Sequence, residues 1–106
     1  MVSKLTSIDH FNKMLEDNES IFVFKHSETC PISASAFDIY NNFLYERDMD
    51  GYYLIVQEER DLSNYIESEF GIKHESPQAL YFQNGEIKWS KSHQDITLLS
   101  LADAEE

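Results

Sequence analysis

A single cysteine, Cys30, stands in a chain of 106 residues, so no internal disulfide can form. Structural zinc sites need several Cys or His at fixed spacings. The histidines, His10, His26, His74 and His93, are scattered without such a pattern, which argues against a structural metal. Long apolar runs are missing too. No stretch approaches the ~20 apolar residues of a membrane-spanning helix, and the N-terminal MVSKLTSIDHF lacks the charged start and apolar run of an export signal. These absences point to the cytoplasm, where thiols stay reduced. Positive charge is also scarce: 8 basic against 20 acidic residues give a formal charge of −12. Phosphate backbones and anionic lipid repel such a chain, so nucleic acid and membranes are poor partners. The acids fall in short groups such as Glu58-Glu59 and the C-terminal tail, which read as solvated faces.

With no repeat, linker or low-complexity tract, the sequence reads as one domain over residues 1–106, large enough to bury its own core. Ile8, Phe11 and Leu15 recur at helical spacing after a candidate N-cap, Ser7, and predict an N-terminal helix ending near Asn18. The continuous run Ile21-Phe22-Val23-Phe24 predicts a strand buried on both faces. Ala36, Phe37, Tyr40, Phe43 and Leu44 return to helical period until Asp50-Gly51. A second buried strand follows at Tyr52 to Val56, then a helix with Leu62, Tyr65, Ile66 and Phe70 on its apolar stripe, closed by Gly71. Strand, helix, strand, helix implies a right-handed parallel unit. Asn84-Gly85 then joins Ala79 to Phe82 and Glu86 to Trp89 as an antiparallel hairpin. A last helix starts at Asp95 or Thr97 and buries Leu98, Leu101 and Ala102 before a fraying acidic tail.

The lone cysteine sits in KHSETCPIS, between the first buried strand and the following helix, with Pro31 suited to that helix's first turn. A solitary cysteine is ordinarily a small buried hydrophobe. This one falls at the carboxyl edge of a parallel strand, where open α/β sheets place ligands. There the free N–H groups and dipole of a helix start favour an anion, and the thiolate is the nucleophile of thiol–disulfide exchange. Placement therefore favours a reactive thiol. A second feature, Ser76-Pro77, stands just before the hairpin, where a trans peptide is the ordinary expectation.

A helix-initial Cys-Pro-x-Ser after the first parallel strand, with a proline before an antiparallel hairpin, resembles the thioredoxin fold. That resemblance implies an α/β architecture with a central four-stranded mixed sheet flanked by helices, an added N-terminal helix, and a cis bond at Pro77. KHSETCPIS, HESPQ (74–78) and SHQDIT (92–97) together resemble the YtxJ-like monothiol bacilliredoxins over nearly the whole chain. The family resemblance implies removal of bacillithiol, a low-molecular-weight thiol, from protein mixed disulfides. Cys30 becomes the attacking thiol, Thr29, Pro31 and Ile32 shape its loop, and Ser76 with Pro77 flanks the substrate. Bacillithiol is then a co-substrate, with no bound cofactor. S-bacillithiolated client proteins and a pyridine-nucleotide-dependent bacillithiol disulfide reductase are the implied partners.

A rival reading is a thioredoxin-fold binding module holding an iron–sulfur cluster between two subunits. Monothiol glutaredoxins of that kind carry Cys-Gly-Phe-Ser, and Pro31-Ile32 departs from it. Lys25 and His26 are placed to support a thiolate or to meet the malate carboxylates of bacillithiol, and are equally readable as surface residues. Ser33 replaces the second cysteine of a CxxC motif and is either a hydrogen-bond donor to the Cys30 sulfur or an ordinary first-turn serine. His74 and Glu75 adjoin the proline and are most simply loop residues. His93 and Asp95 match the family pattern, Asp95 being explained equally by N-capping. Trp89 and the tyrosines read as core and hairpin packing.

Overall fold

In the computed structural model, which describes residues 1–106, the chain runs β1 (Val2–Lys4), α1 (Ile8–Asp17), β2 (Ser20–His26), α2 (Pro31–Glu46), β3 (Gly51–Ile55), α3 (Arg60–Phe70), β4 (Gln78–Gln83), β5 (Glu86–Ser92) and α4 (Leu98–Ala104). A short 3-10 turn at His93–Asp95 joins β5 to α4. The sheet order is β1-β3-β2-β4-β5. β3 is parallel to both β1 and β2, and β4 is antiparallel to both β2 and β5.

The apolar run of β2 explains the layering. Ile21, Phe22, Val23 and Phe24 are all buried, and a strand apolar on both faces has to be covered on both. Phe22 and Phe24 pack with Tyr40, Phe43 and Leu44 of α2 and Leu101 and Ala104 of α4. Ile21 and Val23 pack on the other face with Phe11 of α1 and Leu62 and Ile66 of α3. Edge-on aromatic contacts anchor each layer, Phe22 against Phe43 at 5.5 Å and Phe11 against Phe82 at 5.4 Å between ring centres. None of the helices is long and apolar enough to cross a membrane.

Local signals account for most element ends. Ser7 caps α1, its hydroxyl accepting the His10 N–H. Gly71 closes α3 in the left-handed region (φ 66°), donating its N–H to the Glu67 carbonyl. Asn84 (φ 54°) and Gly85 (φ 79°) turn the hairpin with the positive angles that a type I′ turn requires.

The sheet has five strands where the sequence reading expects four. The added one, β1, is only Val2–Lys4, too short and too polar to show a period; pairing along β3, with Val2 opposite Gly51 and Lys4 opposite Tyr53, defines it. The chain end also differs. Thr97, not Asp95, caps α4, in a reciprocal capping box with Ser100, while Asp95 lies in the 3-10 turn. Leu98 is half exposed in the first turn, and Ala104 is buried instead. The helix takes in the start of the acidic tail, running to Ala104, and Glu105 pairs with Arg47. α2 stops at Glu46, ahead of Asp50-Gly51, with Asp48 taking a left-handed turn (φ 53°).

Gly51 serves a different purpose, close approach. A Cβ there would lie 2.4 Å from Leu44 Cδ1 and 2.8 Å from the Tyr40 hydroxyl, both buried. That hydroxyl donates to the Tyr52 carbonyl (2.8 Å) and accepts the Tyr52 N–H (3.2 Å), so it has little freedom to move. Gly51→Ala is therefore expected to destabilise the protein by about 1–3 kcal/mol, the range for overpacking a core. A lower urea midpoint at unchanged slope would show it.

Candidate functional site

The register sets Lys25 of β2 directly opposite Gln78 of β4. The loop that runs from β2 to α2 and the segment that enters β4 therefore leave the same edge of the sheet. Cys30 lies in the first and Ser76-Pro77 in the second.

Cys30 is the N-cap residue of α2, in extended conformation (φ −112°, ψ 116°), with Pro31 beginning the helix. Its thiol is partly exposed and makes no capping hydrogen bond, which leaves it available at the positive end of the helix. The loop is braced from β3's side by Gln57, which the sequence reading missed. The Gln57 amide donates to Ser27 Oγ (2.7 Å) and Thr29 Oγ1 (3.3 Å), and its carbonyl accepts the Glu28 N–H (3.3 Å). Thr29 thus shapes the loop through a specific partner.

Ser33 is completely buried. Its hydroxyl oxygen accepts the Ser27 N–H at 2.9 Å and shares a hydrogen bond with His26 Nδ1 at 2.8 Å. The expectation of a bond to the Cys30 sulfur gives way to this one, because the strand end places His26 beside the first turn of α2. His26 stacks on Phe37, ring centres 4.6 Å apart. Burial pushes its pKa down from 6.5, with Glu28 opposing, so the ring is neutral near pH 7 and supplies no charge to a thiolate. Ser33→Ala would leave the Ser27 N–H and His26 without their partner. The expected result is a stability loss of roughly 1–3 kcal/mol, read as a lower midpoint in denaturant titration.

Lys25 departs from its expected role. Its side chain is fully buried, and the amine donates to the Ser63 carbonyl (3.1 Å) and lies 3.3 Å from His74 Nδ1. It points away from solvent, because strand alternation puts it on the same face as Ile21 and Val23, against α3. Its partners are a carbonyl and an imidazole, not a carboxylate. Burial lowers the Lys25 pKa from 10.5 to about 8, with only Glu67 opposing. His74, read from sequence as an incidental loop residue, is thus part of a polar network. Ser63 Oγ lies 3.0 Å from its Nδ1, and its backbone N–H donates to Glu67 Oε2 at 2.9 Å.

The Ser76–Pro77 peptide is cis. The Pro77 carbonyl accepts the His93 N–H (3.1 Å), and His93, held at φ 53°, approaches Glu75 Oε2 at 3.3 Å through Nε2. His93 thereby links the turn after β5 to the proline segment. Ser76 Oγ is buried without a hydrogen-bond partner. Ile32, 47% exposed, lines a groove of about 220 Å³ with Ile39, Ile96, His93 and Gln94. A larger concavity of about 690 Å³, around Glu16, Glu19, Tyr65 and Asn84, opens at the far end of β2 and contains no thiol.

This arrangement, a helix-capping cysteine and a proline segment leaving the same end of a mixed sheet, is that of the thioredoxin fold. Solved thioredoxins share it: that of Malassezia sympodialis at 18% identity (TM-score 0.74, covering 99% of this chain and 90% of that one) and that of Plasmodium falciparum at 19% (TM-score 0.75, 99% and 96%). A structure described as a candidate oxidoreductase with a thioredoxin fold is 64% identical, with a TM-score of 0.97 over 99% of this chain and 94% of that one. Residues 3–101 match the family described as Monothiol bacilliredoxin BrxC, and the chain belongs to that family.

Proposed function

We propose that this protein removes bacillithiol from protein mixed disulfides by thiol–disulfide exchange at Cys30. Family membership and the thioredoxin-type oxidoreductase fold support redox chemistry at a thiol. The observation that carries the one-cysteine form of the reaction is Ser33: where a CxxC protein has its resolving thiol, a buried hydroxyl is engaged with His26 and Ser27.

In this cycle the Cys30 thiolate attacks the bacillithiol sulfur of the modified client. A Cys30–bacillithiol disulfide forms, the client's disulfide bond breaks, and the client sulfur leaves as a thiolate that takes a proton from water. Serine cannot form a disulfide, so a second thiol must come from outside. Free bacillithiol attacks the adduct, releasing bacillithiol disulfide and regenerating Cys30. A pyridine-nucleotide-dependent reductase then returns the disulfide to two thiols. In this reading Thr29, Pro31 and Ile32 shape the attacking loop, and Ser76 and Pro77 flank the client. Bacillithiol is co-substrate, modified clients and the reductase are partners, and the reaction belongs to the cytoplasm.

The test compares one client protein carrying either bacillithiol or glutathione on the same cysteine. Loss of the bacillithiol mass is expected to be at least about tenfold faster, equivalent to about 1.4 kcal/mol of preference. Equal rates would contradict bacillithiol as the co-substrate while leaving exchange at Cys30 in place.

A further inference from the structure

Side chains from β2, α3 and β4 converge beneath the segment that carries Ser76 and Pro77. Gln78 Nε2 donates to the Lys73 carbonyl (3.1 Å), Glu67 accepts the His74 N–H (2.9 Å), and Lys25 reaches the His74 ring (3.3 Å). The segment is therefore held by its backbone at two successive residues and by one imidazole.

The imidazole contact has a defined polarity. An ammonium group has donors only, so toward Lys25 the His74 Nδ1 accepts, and the Ser63 hydroxyl, 3.0 Å from the same nitrogen and free to donate or accept, then turns its proton toward the ring. The ring proton then resides on Nε2. A ring protonated at both nitrogens would set an N–H against the buried ammonium, and this configuration is disfavoured twice. Burial lowers the His74 pKa first, and the Lys25 charge lowers it further, with Arg60 adding to the effect and Glu67 and Glu75 opposing it. Beside this contact, Gln78 is 2% exposed, sits directly across the register from Lys25, and has an Oε1 with no partner. The amine's remaining donor and this acceptor belong to neighbouring side chains on one sheet face.

We propose that Lys25 is a positioning residue for exchange at Cys30: its buried ammonium fixes His74 as the Nε2–H tautomer and so holds residues 73–78 in the conformation that aligns the client disulfide. The proposal rests on the reading that Cys30 exchanges with clients lying along Ser76 and Pro77. It differs from direct support of the thiolate, because the amine acts through His74 and touches neither sulfur nor substrate.

Two readouts separate this from a purely structural lysine. The first needs no activity: long-range 15N–1H correlation of the histidine rings in the wild type at pH 7. His74 is expected as one neutral form with the proton on Nε2, and a proton on Nδ1 or a charged ring overturns the proposal. The second is the kinetics of Lys25→Met on a client bearing either bacillithiol or a methyl disulfide. KM for both clients is expected to rise about tenfold while the limiting single-turnover rate stays within about twofold, because alignment is lost and the nucleophile is not. An unchanged KM in the folded variant overturns it. Should Lys25→Met not fold, the wild-type pH profile decides. KM is expected to rise as Lys25 loses its proton above about pH 8, and a flat KM from pH 7 to 9.5 overturns the proposal. A wild type that exchanges the methyl disulfide but not bacillithiol removes the co-substrate assignment and leaves the positioning role standing.

Discussion

Cys30→Ser is expected to abolish release of bacillithiol from a modified client, to the level of the uncatalysed reaction, without harming the fold. The loss is complete because Cys30 is the chain's only sulfur nucleophile able to form a mixed disulfide, and a serine alkoxide is not accessible near neutral pH. The fold should tolerate the change unusually well. Cys30 is the N-cap of α2 and makes no side-chain cap, whereas serine is among the preferred N-cap residues. The variant should therefore melt at or above the wild-type temperature, with a gain of up to about 1 kcal/mol if the new hydroxyl caps the helix. Loss of activity with loss of fold would be uninformative for most catalytic substitutions; here the two effects are expected to move in opposite directions. Client release is followed by loss of the bacillithiol mass, and stability by thermal or urea unfolding.

The second large effect concerns Lys25 and stability. A buried lysine whose pKa falls to about 8 in the folded chain, against about 10.4 unfolded, binds fewer protons in the native state between those values. Stability then rises with pH through that window, and below pH 8 the full cost of burying the charge is present. At about 1.36 kcal/mol per pH unit the cost is about 3 kcal/mol near neutrality, and about 2 kcal/mol of it is recovered between pH 7 and 9.5. Tyr40 works against this only at higher pH, since burial raises its pKa above 10. Lys25→Met removes the charge and puts an apolar side chain of similar length in the buried site against α3, at the cost of the amine's hydrogen bonds to the Ser63 carbonyl and His74. The variant is expected to be more stable than the wild type at pH 7 by about 1–2 kcal/mol, and its stability should lack the rise toward pH 9.5. Urea titrations of both proteins at pH 7 and 9.5 check it. A variant that is less stable and keeps the alkaline rise would assign the linkage to other groups. With the kinetic expectation above, the lysine becomes a case of stability given up for alignment.

What was legible in the sequence was local or periodic. The β2 run, the Asn84-Gly85 turn, the Ser7 cap and the Gly71 closure each carry their signal within a few residues, and so does Thr-Cys-Pro at the start of α2. β1 was invisible because three residues show no period and only the edge of β3 orders them. Gln57 and Ser63 were missed because each acts on a segment distant in sequence, and polar residues after a strand or on a helix are common. Lys25 did carry a usable signal. Counting by two from Ile21 through Val23 places it on a buried face, and a lysine there requires a partner from whatever covers that face. Reading KHS only as the approach to Cys30 gave weight to nearness in sequence, while the strand directs alternate side chains to opposite sides.

The central claim is a one-cysteine cycle, and it is tested most directly by the intact mass of the wild-type protein after incubation in excess with a bacillithiol-modified client and no other thiol. The account predicts one client thiol released per protein consumed, a single bacillithiol adduct on Cys30, and no further turnover until free bacillithiol is added. Repeated release without added thiol, or release with no adduct on Cys30, would contradict it.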